Sequence, residues 1–337
     1  MALQFEWSKP KDTAAFGRAT VDLYASEIGP MEDAVTFRKY VGGSPANTAV
    51  AMARLGLNVG YIGKVSDDPL GKFITRFLEK EGIDVSHIQK AEPGIRSGIT
   101  IGEILPDTCN CFMYRNDCAD LQMSPWELDE EYIAAHKLLL ISGTSLSHSP
   151  ARETVFAAID LAKRNQTRIA LDLDYREGTW DSLEEVSVYL TLAAQKADIV
   201  IGTRDEFNRM EYVFHRENSD NQKSADWLLS KGAELVSIKN GKKGSFIFTE
   251  NSCVRGGIYP TKVLKSFGAG DAYSGAFCYG LLQRMSIEEA LRYAAAASSI
   301  TITGHSCSDA MPTLSQVREY MKSHESVSYT HLRAHET

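Results

Sequence analysis

Four short, almost continuously apolar runs recur between residues 137 and 239, and a segment long enough for a helix separates each run from the next. The runs are residues 137–142, 168–172, 197–201 and 234–239. Strands that are apolar on both sides are typical of parallel sheets with helices on both faces. The pattern therefore predicts an α/β fold with a doubly wound, mostly parallel sheet flanked by helices.

The N-terminal part of the chain predicts further strands and helices of the same parallel sheet. Residues 15–24 are mostly apolar and predict a first strand, and residues 59–63 predict a second. Apolar residues at helical spacing over 46–55 and 70–80 predict helices before and after the second strand. This alternation of strand and helix is typical of parallel βαβ units.

Three segments interrupt the alternation, because apolar and polar residues alternate along them as in strands with one open face. They are residues 35–41, 97–104 and 110–115, the last two joined by a turn through Pro106–Asp107. We expect them to form a small antiparallel β lid, inserted at about 35–43 and 96–118. The lid is expected to belong to a single domain spanning residues 14–322.

Polar residues follow each of the four apolar runs. They are Ser142–Gly143, Asp172–Arg176, Gly202–Glu206 and Lys239–Gly241. Ligands of open α/β sheets bind beyond the carboxyl ends of the parallel strands. This edge of the sheet is therefore the predicted location of the functional site.

The segment Gly268–Asp271 follows a predicted strand end at Val263–Leu264 and precedes small and apolar residues at helical spacing. A helix that opens on small residues leaves backbone N–H donors free to bind an anion. Asp271 is then interpreted as a base beside an anion site. The alternative is purely structural: the glycines permit close packing, and Asp271 is a first-turn acid favoured by the helix dipole.

A second glycine pair, Gly42–Gly43, precedes a helix that should begin near Ser44–Pro45. Glycine lets the backbone approach a ligand closely, and Asn47 offers a donor and an acceptor one turn into the helix. Such groups suit a ligand rich in hydroxyls. Asp22 could reach the same cleft, although a strand-terminating turn is the simpler explanation of that residue.

Composition limits the partners. The net charge is −8 and no basic run occurs, which argues against nucleic acid or an anionic membrane as the main partner. The N-terminus lacks the layout of a signal peptide, no apolar run reaches membrane-spanning length, and the six cysteines form no paired C-x-x-C motifs. We therefore expect a cytoplasmic protein with free thiols. Residues 326–337, rich in histidine and without amphipathic period, are expected to be a non-native tail outside the fold.

Two of these segments resemble the signatures of the ribokinase-like (PfkB) family of carbohydrate kinases. The early one is Gly42–Asn47 with Leu55–Gly56, and the late one is Ser266–Asp271. The resemblance extends over residues 14–322. It implies ATP-dependent phosphoryl transfer to a sugar hydroxyl, with Gly268, Ala269 and Gly270 forming an anion hole and Asp271 acting as the catalytic base.

The resemblance also implies roles for residues elsewhere in the chain. Sugar hydroxyls would be held by Asp22, Gly42, Gly43 and Asn47, and Glu206 would orient Mg²⁺ through water. The nucleotide would be flanked by Lys239, Gly241, Gly244, Gly268, Gly270 and Gly304. The chain departs from the family pattern twice, with Lys265–Ser266 in place of the usual Asp–Thr and Thr203 in place of the asparagine of Asn-x-x-Glu.

Within the family, Tyr114–Asp120 and Asp172–Arg176 followed by Trp180 are similar to the kinases of sugar acids. A sugar carboxylate needs a fixed cation, and a guanidinium binds it through two parallel hydrogen bonds. Arg176 is the better candidate and Arg115, on the lid, the second, although Arg115 could equally be a solvated charge at the lid edge. The open face of the lid predicts a homodimer.

Other functions remain open at this point. The chain could be a kinase of 2-keto-3-deoxygluconate or of a neutral, fructokinase-type sugar. A non-catalytic sugar-acid sensor on the same scaffold is a further alternative, but it would have no use for a base at Asp271. A dinucleotide-dependent dehydrogenase would need glycine at Tyr273 to complete G-x-G-x-x-G.

Overall fold

The computed structural model describes residues 3–105, 109–326 and 330–333, which form a ten-stranded main sheet, a four-stranded lid sheet and the helices packed on them. The strands are β1 (Lys11–Phe16), β2 (Thr20–Ile28), β3 (Phe37–Gly42), β4 (Val59–Val65), β5 (Asp84–Lys90), β6 (Ile99–Ile104), β7 (Cys109–Tyr114), β8 (His136–Ser142), β9 (Arg168–Asp172), β10 (Ile199–Thr203), β11 (Leu235–Lys239), β12 (Ser245–Thr249), β13 (Ser252–Gly256) and β14 (Thr330–Arg333). The helices are α1 (Ser44–Arg54), α2 (Pro69–Lys80), α3 (Glu130–Ala134), α4 (Ala151–Arg164), α5 (Leu183–Ala194), α6 (Arg204–Met210), α7 (Asn221–Ser230), α8 (Ala269–Leu282), α9 (Ile287–Thr301) and α10 (Leu314–Ser323).

The main sheet has the order β14-β13-β12-β11-β10-β9-β8-β1-β4-β5, and every pairing from β11 to β5 is parallel. Alternate residues of its strands enter two hydrophobic cores. Leu138 and Leu140 of β8 pack in the core covered by α1, α8 and α9, whereas Leu139 and Ile141 pack in the core covered by α4 and α5. The predicted doubly wound sheet with helices on both faces is thereby confirmed.

The predicted first strand over residues 15–24 is wrong, because the structure divides it. β1 ends at Phe16 and belongs to the main sheet, while β2 begins at Thr20 and belongs to the lid. Gly17 makes the turn between them at a φ of 140°, where a side chain would be strained. The apolar run continues across this turn because both strands are buried, so hydrophobicity alone does not mark the break.

The lid sheet has the order β3-β2-β6-β7. The three predicted strands are present, and β2 joins them between β3 and β6. The pairings β2–β3 and β6–β7 are antiparallel, and β2–β6 is parallel. The predicted turn through Pro106–Asp107 lies outside the described residues. Several apolar side chains on the lid are exposed, among them Phe37, Phe112 and Tyr114.

An antiparallel extension at the β11 edge was not predicted from the sequence. It consists of β12, β13 and β14, and β14 pairs Ser252–Arg255 of β13 with residues 330–333, inside the expected non-native tail. Residues 327–329 and 334–337 of that tail lie outside the described residues. The six cysteines are free thiols. In the part of the chain that the structure describes, none of the helices has the length and hydropathy needed to cross a membrane.

Candidate active site

A cleft of about 320 Å³ opens between the carboxyl edge of the main sheet and the lid. Such a volume is within the range of small-molecule sites. It is lined by nine of the residues singled out from the sequence: Asp22, Gly43, Asn47, Arg176, Glu206, Lys239, Gly268, Gly270 and Asp271. Residues from opposite ends of the chain thus meet at the predicted edge of the sheet.

The other six predicted site residues do not line the cleft. Gly42 lies behind Asp22, and a Cβ at Gly42 would overlap the Asp22 carboxylate. Gly241 and Gly244 form the positive-φ turn after β11, and Gly304 follows α9, packed against Ala310. The remaining two are Ala269, the first residue of α8, and Arg115.

The predicted helix start is confirmed, because α8 begins at Ala269 after Gly268 in the left-handed region, at a φ of 80°. A Cβ at Gly268 would also lie 3.1 Å from the Cβ and Sγ of Cys307. No side chain in the described part of the chain caps the helix, so its first N–H groups remain available to an anion. Val263–Leu264, predicted to end a strand, instead lie in a loop with exposed side chains.

Lys265 fastens the loop that leads into α8. Its side chain is fully buried, and its Nζ donates to the carbonyl oxygens of Phe267 at 2.6 Å and of Thr301 at 3.5 Å. Burial lowers the pKa of Lys265. The residue that departs from the family pattern therefore ties the glycine turn to the C-terminal end of α9.

Asp271 lies in the first turn of α8 and is buried at the floor of the cleft. Its Oδ2 accepts a hydrogen bond of 2.7 Å from Nδ2 of Asn47 on α1. Burial, and then the Asp174 carboxylate, raise the pKa of Asp271 despite the opposing effects of Arg176 and Asn47. A buried carboxylate with a raised pKa beside free helix N–H groups suits proton transfer more than capping, because it caps nothing here.

Two carboxylates and a lysine lie at the ends of β9, β10 and β11. Lys239 Nζ is 3.7 Å from Asp172 Oδ1, and a Cβ at Gly270 would come within 3.4 Å of the same Nζ. Burial alone would lower the pKa of Lys239, but Asp172 and Glu206 outweigh it and the pKa is raised. Lys239 is therefore a charged ammonium next to the opening of α8.

Glu206 is held by the backbone around it. Its Oε2 accepts from Thr203 N at 2.6 Å as part of a capping box, and its Oε1 accepts from Tyr175 N at 3.2 Å. Burial raises the pKa of Glu206, with Asp172 adding to the effect and Lys239 opposing it. Thr203, the second departure from the family pattern, thus fixes the glutamate in place.

Asp22 projects into the cleft from β2 of the lid. It accepts from Thr20 Oγ1 at 3.0 Å and from Tyr24 OH at 2.8 Å, and the Tyr24 hydroxyl also lies 3.1 Å from Cys307 Sγ. Burial raises the pKa of Asp22 despite these hydrogen bonds. The turn interpretation of Asp22 is wrong, because the residue lies inside a paired strand.

Arg115 has a partner of its own away from the cleft. Its Nε donates to Asp120 Oδ2 at 2.9 Å, and its Nη1 donates to Thr144 O at 3.1 Å and to Ser147 Oγ at 3.3 Å. Both members of the Arg115–Asp120 pair are buried. Arg115 is therefore not the solvated lid-edge charge that the sequence allowed.

Arg18 lines the cleft and was missed by the sequence analysis. It follows Gly17 in the turn between β1 and β2, a turn hidden by the assumption of one continuous strand. The available signal was a cation within an apolar run whose other charged residue is Asp22. Such a residue is buried only at a cost unless something pairs with it.

A parallel α/β sheet with an uncapped helix start, a buried carboxylate and a lid over its carboxyl edge defines a small-molecule kinase of the ribokinase-like fold. The family model described as pfkB family carbohydrate kinase matches residues 10–314, and the chain belongs to this family. It is thus a phosphotransferase with an alcohol group as acceptor, which confirms the enzyme class expected from the two signatures.

Several known proteins are similar to this chain over almost its full length. A protein of Geobacillus kaustophilus (strain HTA426) named 5-dehydro-2-deoxygluconokinase is 48% identical over 329 residues, covering 97% of this chain and 98% of its own. Among solved structures, a fructokinase with bound ATP from Xylella fastidiosa superposes with a TM-score of 0.84 at 23% identity, covering 93% of this chain and 99% of that one. A putative ribokinase II of E. coli in complex with ATP and Mg²⁺ gives 0.85 at 22%, covering 93% and 100%.

Proposed function

We propose that the protein transfers the γ-phosphoryl group of ATP to the terminal, C6 hydroxyl of 5-dehydro-2-deoxy-D-gluconate. The relative at 48% identity carries the name of that activity. The observation that carries the reaction class is the position of Asp271, buried in the first turn of an uncapped helix and aligned by Asn47. Three basic side chains, Arg18, Arg176 and Lys239, lie among the carboxylates that line the cleft and supply cations for an acidic substrate.

Phosphoryl transfer through a loose transition state needs positioning and charge stabilisation more than covalent chemistry. In this proposal Asp271 accepts the proton of the attacking hydroxyl, and Asn47 Nδ2 keeps the carboxylate oriented. The free N–H groups after Gly268, with Ala269 and Gly270, stabilise the charge on the phosphoryl oxygens. Lys239 adds a fixed positive charge beside them.

The residues at the strand ends fit a magnesium–nucleotide complex. Mg²⁺ is usually held by one or two carboxylates together with waters and substrate phosphates. No group of three or more potential metal ligands occurs among the described residues. Glu206 would hold the ion through water, and the ion would neutralise phosphate charge. Lys239 and the backbone at Gly241, Gly244 and Gly304 would flank the nucleotide.

The sugar acid is assigned to the lid side of the cleft. Asp22, Gly43 and Asn47 would bind its hydroxyls, with Gly42 supporting Asp22 from behind. The carboxylate is assigned to a guanidinium beside Asp174, where Arg176 and Arg18 both lie. We place the enzyme in the cytoplasm and propose a homodimer formed through the exposed apolar face of the lid, which sedimentation at several concentrations would test.

The buried base predicts the pH dependence of catalysis. Burial raises the pKa of Asp271 above the ordinary value of 3.8, and the group must be deprotonated to accept a proton. We therefore expect kcat/KM to fall as the pH decreases through a value above 3.8. A profile measured across the acidic range checks this, with circular dichroism at each pH to exclude unfolding. If kcat/KM fell only at a pH of 3.8 or below, the base would not be a buried carboxylate with a raised pKa.

Closure of the lid predicts protection from amide hydrogen exchange. When the sugar acid binds, peptides from β6 and β7 should exchange more slowly, because the strands then cover the cleft. Peptides from β12 and β13, at the far edge of the main sheet, serve as the control and should not change. Equal exchange in β6 and β7 with and without saturating sugar acid would exclude closure.

The function is tested with a coupled assay of ADP release over a panel of acceptors. The panel contains 5-dehydro-2-deoxy-D-gluconate, 2-keto-3-deoxygluconate, fructose and ribose, with ³¹P and ¹³C spectra to locate the phosphate. We expect the highest kcat/KM for the first compound and phosphate on C6. A preference for fructose would favour the neutral-sugar alternative, and sugar-acid binding without turnover would favour the sensor.

A further inference from the structure

Three guanidinium groups and two carboxylates lie together where the cleft meets the turn between β1 and β2. The pairing of four of these five groups is settled by distance. Arg115 pairs with Asp120, its Nε lying 2.9 Å from Oδ2. Arg176 Nη2 lies 2.8 Å from Asp174 Oδ1. The fifth group, Arg18, has no hydrogen-bonded carboxylate among the described residues: Asp174 is shared with Arg176, and Asp22 acts on Arg18 only from a longer distance.

The neighbouring groups supply neither close hydrogen-bond acceptors nor a close carboxylate for the Arg18 guanidinium. The residue is only 4% exposed, and its nearest carboxylate oxygen, Asp174 Oδ2, is 3.9 Å from Nη2. That carboxylate is already bound to Arg176, and its Oδ2 accepts from Ser142 Oγ at 2.8 Å. Within the described ranges of the chain, the Nη1 of Arg18 meets only Met113 Sδ, at 3.8 Å, and its buried Nε has no hydrogen-bond partner.

A buried charge without a close counterion is costly, and proteins retain one where a ligand supplies the opposite charge. Arg18 lines the same cleft as Asp271, and Thr100 and Met113 of the lid line it too. A molecule held in this cleft can therefore meet both the base and the unpaired guanidinium. Its anionic end would lie under the lid.

Resting on the kinase activity proposed above, we infer that Arg18 is the residue that binds the substrate carboxylate and selects sugar acids over neutral sugars. Arg176, the candidate favoured by the sequence, is 39% exposed at its side chain and already paired with Asp174. A planar guanidinium with free donors can bind a carboxylate through two hydrogen bonds, which a single ammonium cannot reproduce.

The test compares the acid with a substrate of the same shape and no charge. Wild type, Arg18→Met and Arg18→Lys are assayed with 5-dehydro-2-deoxy-D-gluconate and with its carboxamide. Loss of a buried carboxylate's partner should raise KM for the acid by roughly 30- to 3,000-fold in Arg18→Met, with a much smaller change in kcat. KM for the carboxamide should change by less than about threefold. Arg18→Lys should keep part of the preference for the acid.

Arg176→Met is the matched control, because it removes a neighbouring guanidinium from the same cleft. It should affect the acid and the carboxamide equally. If Arg18→Met raises KM equally for both compounds, or Arg176→Met alone abolishes the preference for the acid, the assignment to Arg18 is overturned. If Arg18→Met does not fold, the ratio of KM for the acid to KM for the carboxamide in Arg18→Lys tests the assignment: a ratio equal to that of wild type would overturn it. Wild type that phosphorylates no sugar acid would instead reject the proposed function itself.

Discussion

Asp271→Asn should lower kcat by roughly 10²- to 10⁴-fold while leaving the dissociation constants of ATP and sugar acid nearly unchanged. The amide keeps the size of the carboxylate and can still face Asn47, but it cannot accept the proton of the hydroxyl. Because the binding contacts remain and the proton acceptor is lost, the effect belongs to the chemical step. Single-turnover kinetics with calorimetric binding measures both quantities on one preparation.

The control for this prediction is Asp220→Asn, since Asp220 also stands at a helix start but caps α7 outside the cleft. Asparagine caps a helix about as well as aspartate, so turnover and melting temperature should both be retained. If Asp271 were only a first-turn acid, Asp271→Asn would behave like Asp220→Asn. A turnover within a few fold of wild type would therefore exclude Asp271 as the base.

Arg115→Met should lower the free energy of unfolding by about 3–5 kcal/mol, because it leaves the buried Asp120 without its partner. Asp120 is buried, and one of its oxygens, Oδ1, already has no hydrogen-bond partner. The same change should leave the KM for sugar acid within a few fold in the folded fraction. Urea unfolding gives the stability, and steady-state kinetics well below the melting temperature gives the KM.

The double variant Arg115→Met with Asp120→Leu is the control for this second prediction. Replacing a buried ion pair by apolar residues of similar volume is often neutral, so much of the lost stability should return. If Arg115→Met is as stable as wild type but raises the KM for the acid, Arg115 contacts the substrate as the sequence suggested. In that case the role of Arg115 would be substrate binding, and its ion pair with Asp120 would not contribute to stability.

The architecture of the main sheet could be predicted because hydrophobic periodicity is a local signal. The strands β8, β9, β10 and β11 are buried on both faces, so their apolar runs stand out against the helices between them. The opening of α8 could be predicted for a similar reason. The residue before α8 has a left-handed backbone conformation, which favours glycine at position 268. Asp271 follows three residues later, so its place in the first turn of the helix can be read from the sequence.

Side-chain pairing was beyond the reach of the sequence. Arg18, Arg115 and Arg176 look alike as isolated cations. Asp120 and Asp174 lie close in sequence to Arg115 and Arg176, but only the folded chain shows that they pair with them and that Arg18 also lies beside Asp174. The break between β1 and β2 was hidden likewise, since burial in the main sheet and burial beneath the lid select the same apolar residues. The local sequence pattern thus determined the parallel part of the main sheet, the helices flanking it and the glycine turn with its carboxylate, but not the antiparallel extension β12–β14. Tertiary structure decided which arginine is left without a hydrogen-bonded counterion, because only the fold brings Arg18 beside Asp174, a carboxylate that Arg176 already holds.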